Sequence, residues 1–238
     1  WISERKDVLC AFFYLAAVLA YCDYTRKKGF LRYVITLVLA ALALLSKPMA
    51  VTLPLALIMI DVLAAGEENT VAWKEKLGEK IPFFLLAAAT GLAALFGQMS
   101  NQALLSLRQA GLGERLLTAV RIPVFYLGKI ILPLNLSASY PRLRISPAVS
   151  GVAALILATI TLAALRARRR GVNGYLFWWL WFLILLLPVG GWFPAGLVSV
   201  ADRFSYLPSV GAAGIIFILI CRFRRRSAIC GADRFCRA

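Results

Sequence analysis

A few short motifs in this chain carry side chains that could hold or move charge. The first is "SERKD", directly before a long apolar run. Glu4 and Asp7 stand three apart and share a face if helical. As carboxylates they could accept a proton or touch a metal ion. They also suit the positive end of a helix dipole, which disfavours the neighbouring Arg5 and Lys6. Capping therefore accounts for the acids and leaves the cations to be explained. Lys47 lies in "ALALLSKPMAVTLPL", between two apolar runs. Pro48 disfavours α geometry at Lys47, so the helix should break there. The break presents an ammonium, a compact charge with three donors, suited to a lipid phosphate. A lysine snorkelling to headgroups is the plainer alternative.

Two later motifs add to the set. "YPRLR" holds Tyr140, Arg142 and Arg144. On an extended segment the two arginines point the same way, able to grip a phosphate bidentately or to meet headgroups. "ADRFSYLP" holds Asp202, Arg203 and Tyr206. An acid beside a cation can bind a polar ligand at little net charge, and the tyrosine offers a stacking face. A structural ion pair competes with that reading. The chain has no His, which removes the commonest general base and metal ligand. Its Cys residues, five in all, form no CxxC pair, and no metal ligands are assigned. A divalent metal remains open as a cofactor.

The elements that must position these residues are membrane helices. Of 238 residues, 61% are hydrophobic and only 16% charged, where a soluble domain carries about 25% charged. Mean hydropathy is +0.80. Apolar runs recur near the ~20 residues needed to span the bilayer. The expected spans are Val8–Tyr24, Phe30–Leu45, Met49–Ala65, Ile81–Met99, Ala148–Leu165, Tyr175–Phe193 and Leu207–Cys221. The fold class is therefore all-α, a polytopic transmembrane bundle of about seven crossings with interfacial helices. Residues 1–221 form the helical domain and 222–238 a basic cytoplasmic tail. The run "YLFWWLWFLILLLP" reads as an aromatic interfacial belt.

The net charge of +16 would suggest nucleic acid in a soluble protein. Here the cations cluster at the ends of apolar runs, which makes them topology signals touching anionic lipid, and no nucleic-acid partner is expected. Three groups should face the cytoplasm: Arg26 to Lys28, Arg166 to Arg170, and Arg222 to Arg226. They agree only if the eighth apolar run, Ala119–Leu134, does not cross. That run carries Arg121, Lys129 and Pro123, and a buried cation is costly. Residues 100–147 are thus expected to form one external segment. Arg5, Lys6, Lys47, Arg142, Arg144 and Arg203 then stand on the external side, against the positive-inside trend.

The motifs "WISERKDVL", "LLSKPMAVTLPLALIMIDV", "EKIPFFLLA", "YLGKIILPLNLSASYP" and "ADRFSYLP" occur in this order. In that series the chain resembles the membrane portion of the transmembrane-and-tetratricopeptide-repeat proteins, within the GT-C class of glycosyltransferases. The resemblance implies transfer of a sugar, mannose in the O-mannosyltransferase-like members, from a polyprenyl or dolichyl phosphate to an external acceptor such as Ser or Thr of a protein, or a glycan. It places Arg5 to Asp7, Lys47, and Asp202, Arg203 and Tyr206 on family signatures. It also implies a multi-pass protein of the bacterial cytoplasmic membrane, or of the endoplasmic reticulum in a eukaryote. In such enzymes the principal catalytic acid lies in an earlier external loop, so this chain is expected to be a fragment, inactive alone. Alternatives are a noncatalytic membrane scaffold and a flippase or ligase for polyprenyl-linked glycans.

Overall fold

The computed structural model describes residues 5–64, 77–100, 111–137, 140, 146–190 and 200–235; in 63–64, 98–100, 112 and 224–235 only the backbone is described. These residues form α-helices: α1 (Arg5–Arg26), α2 (Phe30–Ser46), α3 (Leu53–Ala64), α4 (Ile81–Ser100), α5 (Leu112–Ile131), α6 (Pro147–Arg169), α7 (Gly174–Leu186) and α8 (Tyr206–Phe235). Among the described residues there is no strand, only an isolated antiparallel bridge between Tyr140 and Val200. Three segments are long and apolar enough to cross a membrane: Arg5–Arg26, Pro147–Arg169 and Asp202–Phe223. Four shorter apolar stretches accompany them: Phe30–Ser46, Pro48–Val62, Ile81–Gly97 and Gly174–Val189.

The chain reverses tightly where the sequence demands it. Lys47 is extended, with φ −159° and ψ 134°, as a residue before proline prefers. A short 3-10 turn, Pro48–Thr52, follows and runs into α3. Pro48 supplies no N–H to continue α2, and the expected span from Met49 is two elements, the 3-10 turn and then α3. At the other end of α2, the exposed pair Asp23–Arg32 (2.7 Å) staples the α1–α2 hairpin.

One core gathers α1 to α4 around Tyr14, Tyr21, Leu53, Leu57 and Phe83, and a second joins α5, α6 and the segment before α8 around Ile122, Tyr126 and Val200. Helix α7 lies between the two. Trp181 and Leu185 enter the first core, while Trp179, Phe182 and Leu186 enter the second. A helix apolar on all sides has to be enclosed, and this one is. Both tryptophans are buried and bonded: Trp181 Nε1 donates to the Leu207 carbonyl (3.1 Å) and Trp179 Nε1 to Thr161 Oγ1 (3.0 Å). Within the aromatic run Trp179 and Trp181 are therefore packing material. Against α8 the run needs glycine: a Cβ at Gly211 would lie 2.6 Å from the Trp178 carbonyl oxygen, and one at Gly214 2.2 Å from the Trp178 ring.

One expectation changes at the chain's later end. Helix α8 continues from Tyr206 to Phe235, so the basic tail is helical through residue 235. The span expected over Tyr175–Phe193 is helical only to Leu186, with a 3-10 turn Leu187–Val189 and Pro188 at its start.

Candidate functional site

The first turn of α1, the α2–α3 reversal and the start of the α8 segment meet at one end of the bundle. Asp7 is buried there, and its Oδ1 accepts a hydrogen bond from Lys47 Nζ. Helix pairing explains the meeting. Helices α1 and α2 are antiparallel neighbours, which brings the beginning of one to the end of the other. Lys47, 20% exposed, also lies 4.9 Å from the centre of the Phe204 ring. The Arg203 guanidinium stands 5.4 Å from the same ring. An aromatic face attracts cations through its quadrupole, so Phe204 holds two of them at one mouth beside one carboxylate.

Asp202 and Tyr140 are held differently. The Tyr140 hydroxyl donates to Asp202, 2.8 Å from Oδ2, and the Ser137 N–H donates to the same oxygen at 2.5 Å. Tyr140 N–H donates to the Val200 carbonyl (2.9 Å), while Tyr126 Oη donates to the Ala201 carbonyl (2.9 Å). This brace ties the residues after α5 to the start of the α8 segment. It commits Asp202 and Tyr140 to holding backbone, close to Phe204 in sequence. Helix α5 is thereby anchored to the N-terminal ends of its neighbours, including α6, where Ser150 Oγ donates to the Leu117 carbonyl (3.4 Å).

Of the residues singled out from sequence, Asp7, Lys47, Arg203, Asp202 and Tyr140 thus gather at one end. Arg5 and Lys6 are exposed at the start of α1. Tyr206 is exposed as the first residue of α8, and the ring that meets the cations is Phe204, which the sequence reading passed over. Glu4, Arg142 and Arg144 lie outside the described residues. Among the described residues, no group of three or more His, Cys, Asp or Glu converges where a metal could sit. At this end two cations stand about one aromatic ring beside a buried carboxylate, a combination that can attract an anion.

A second charged cluster, absent from the sequence reading, lies farther along α1. Tyr21 Oη donates to Asp61 Oδ1 (2.8 Å), and Lys80 Nζ lies 2.6 Å from Asp61 Oδ2 and donates to Tyr21 Oη as well. Lys80 is 1% exposed and Asp61 6%. At a rise of ~1.5 Å per residue, Tyr21 is about 21 Å along α1 from Asp7. The signal that could have found it is Asp61, a single acid inside the apolar run of α3, which demands a partner.

Compared with known proteins, the chain matches no family model, no curated protein and no solved structure.

Proposed function

We propose that this chain is the membrane part of a glycosyltransferase resembling the GT-C class, using a sugar linked to polyprenyl or dolichyl phosphate. The observation that carries the reading is the meeting of Lys47, Arg203 and Asp7 around Phe204 at one end of the bundle. In this reading the three long and four shorter apolar helices make about seven crossings of ~30 Å of hydrocarbon. Helix α5 lies along the external face, which its anchoring to the N-terminal ends of α6 and the α8 segment supports. The Asp7–Lys47 mouth then faces outward, in the bacterial cytoplasmic membrane or the lumen of the endoplasmic reticulum.

The donor's phosphate enters between Lys47 and Arg203. Lys47 exchanges its bond to Asp7 for one to a phosphate oxygen. The acceptor hydroxyl oxygen, on a Ser or Thr or a glycan, attacks the sugar's anomeric carbon. The bond from that carbon to the phosphate oxygen breaks, and the lipid phosphate leaves with the electron pair. The two cations stabilise the charge that develops there. A carboxylate takes the hydroxyl proton; by family resemblance the principal one lies in an earlier loop, with Asp7 and Glu4 as neighbouring acids or metal contacts.

Lys47→Ala should reduce retention of polyprenyl phosphate by the purified chain by about tenfold, since hydrogen bonds to charged groups contribute roughly 1.5–3 kcal/mol. Lys47→Arg should recover part of it. Transfer of labelled sugar to a peptide by membranes containing the whole gene product should fall in parallel. Undiminished retention and transfer in Lys47→Ala would remove the lysine from the site.

A noncatalytic scaffold is the second reading, favoured by the fact that Asp7 already neutralises Lys47. It requires that neither the wild type nor any variant retain the lipid phosphate. A flippase or ligase for polyprenyl-linked glycans would instead move or join the glycan without labelling the peptide.

A further inference from the structure

Between α5 and the first half of α6 lies a cavity of about 490 Å³, within the ~300–1,000 Å³ usual for small-ligand sites. Its walls are small and apolar: Val124, Phe125 and Gly128 on α5 face Val149, Val152 and Ile156 on α6. Gly128 leaves room, since a Cβ there would meet nothing within 4 Å. Two cations, Arg121 and Lys129, line the same cavity. With Phe125 and Gly128 they follow the spacing of one helical face.

Lys129 is fixed in place. Its Nζ donates to the carbonyls of Leu134 (2.6 Å) and Asn135 (3.1 Å). Asn135 closes that turn with φ 51°. Its ammonium also lies 5.1 Å from the centre of the Tyr140 ring and 5.6 Å from that of Phe125. Four ion pairs join described residues, and none includes Lys129. Among the described residues its positive charge therefore stands beside an apolar groove with no carboxylate paired to it.

We propose that this groove binds a membrane phospholipid with an anionic headgroup. One acyl chain lies against Val124, Gly128, Val149 and Val152, and the phosphate sits at the Lys129 end of the groove, with Arg121 adding positive potential along the same wall. Charge complementarity selects the anionic lipid, and the narrow valine-lined wall suits a single hydrocarbon chain better than a helix with its own side chains. The site is distinct from the Asp7–Lys47 mouth and does not rest on the transferase reading.

The test is native mass spectrometry of the purified chain with phosphatidylglycerol and with phosphatidylcholine of the same acyl chains. The wild type should retain phosphatidylglycerol preferentially. Arg121→Gln and Lys129→Gln should each lower that preference about fivefold, the worth of one cation beside an anionic lipid. Gly128→Leu fills open space and should displace the acyl chain, lowering retention of both lipids. It also serves where the Lys129 variant disturbs its turn; circular dichroism and thermal unfolding identify such a case. Equal retention of the two lipids by the wild type would overturn the proposal, as would unchanged retention in Gly128→Leu. Displacement of phosphatidylglycerol by inorganic phosphate, or by equimolar polyprenyl phosphate, would reassign the site to a free anion or to the donor lipid and likewise overturn it.

Discussion

The two acid–lysine pairs at different depths along α1 use the same chemistry for different ends. Asp61 and Lys80 are closed off, at 6% and 1% exposure, and Tyr21 donates to both carboxylate oxygens. Asp7 and Lys47 stand in a more open position, where Lys47 keeps 20% of its side chain exposed and faces Phe204 rather than a further hydrogen-bonding partner from the core. A lysine at 1% exposure with its donors directed at a carboxylate and a phenol is placed as a clamp. One that reaches an open mouth can change partners. The lesson is that accessibility, more than the presence of a charge in an apolar helix, separates a clamp from a ligand site.

Breaking the closed pair should have the largest effect. Lys80→Met leaves Asp61 buried without its cation and should destabilise the protein by about 3–5 kcal/mol, read by denaturant unfolding in detergent. Replacing both partners, Asp61→Leu with Lys80→Met, should recover most of that loss, because a buried ion pair contributes little over apolar residues of similar volume. If the double variant is as unstable as the single one, the pair holds more than its own charges.

The open pair should respond less in stability and more in binding. Asp7→Asn should cost roughly 1.5–3 kcal/mol, the scale of a hydrogen bond to a charged group. It should also raise retention of lipid phosphate by releasing Lys47. Equal losses of stability at the two pairs, with no change in lipid binding, would erase the distinction drawn here.

The legibility of these two regions differed for a physical reason. "SERKD" and "SKPM" broke expected rules of charge placement, and Pro48 announced the break at Lys47, so that end of the molecule was readable. Phe204 was not, since an aromatic in an apolar-rich motif has no charge to mark it. The Tyr21–Asp61–Lys80 cluster depends on which faces of α1, α3 and α4 meet, and residue spacing along one chain does not encode that. Lys80 read as one more cation in a mixed-charge loop. The apolar runs themselves were legible from composition. Their division was less so: the 3-10 turn Pro48–Thr52 and the continuation of α8 to Phe235 both follow from local geometry at helix ends.

The smallest effect belongs to an exposed pair, Lys28–Glu79 at 2.8 Å. Burial acts to raise the Glu79 carboxyl, but the Lys28 ammonium, the Tyr24 hydroxyl and the Lys80 charge together hold it below its ordinary 4.5. Burial likewise acts to lower Lys28, and Glu79 and Tyr24 together outweigh it, leaving the ammonium above 10.5. The carboxylate's contribution is present above pH 4.5 and lost as pH falls through its depressed value. The ammonium's is present below pH 10.5 and lost as pH rises through its elevated value. Glu79→Gln should therefore flatten the acid limb of the stability profile by no more than about 1 kcal/mol, the range for exposed pairs. A larger change would place this pair with the closed cluster.

The seating of Trp178 against Gly211 and Gly214 makes α7 and α8 a single stiff spar, because interfaces packed to contact transmit displacement instead of absorbing it. On the other side α5 is tied to the start of that spar through Tyr126, whose hydroxyl donates to the Ala201 carbonyl, so a displacement of α5 would load a hydrogen bond before it disturbed the packed α7–α8 seam.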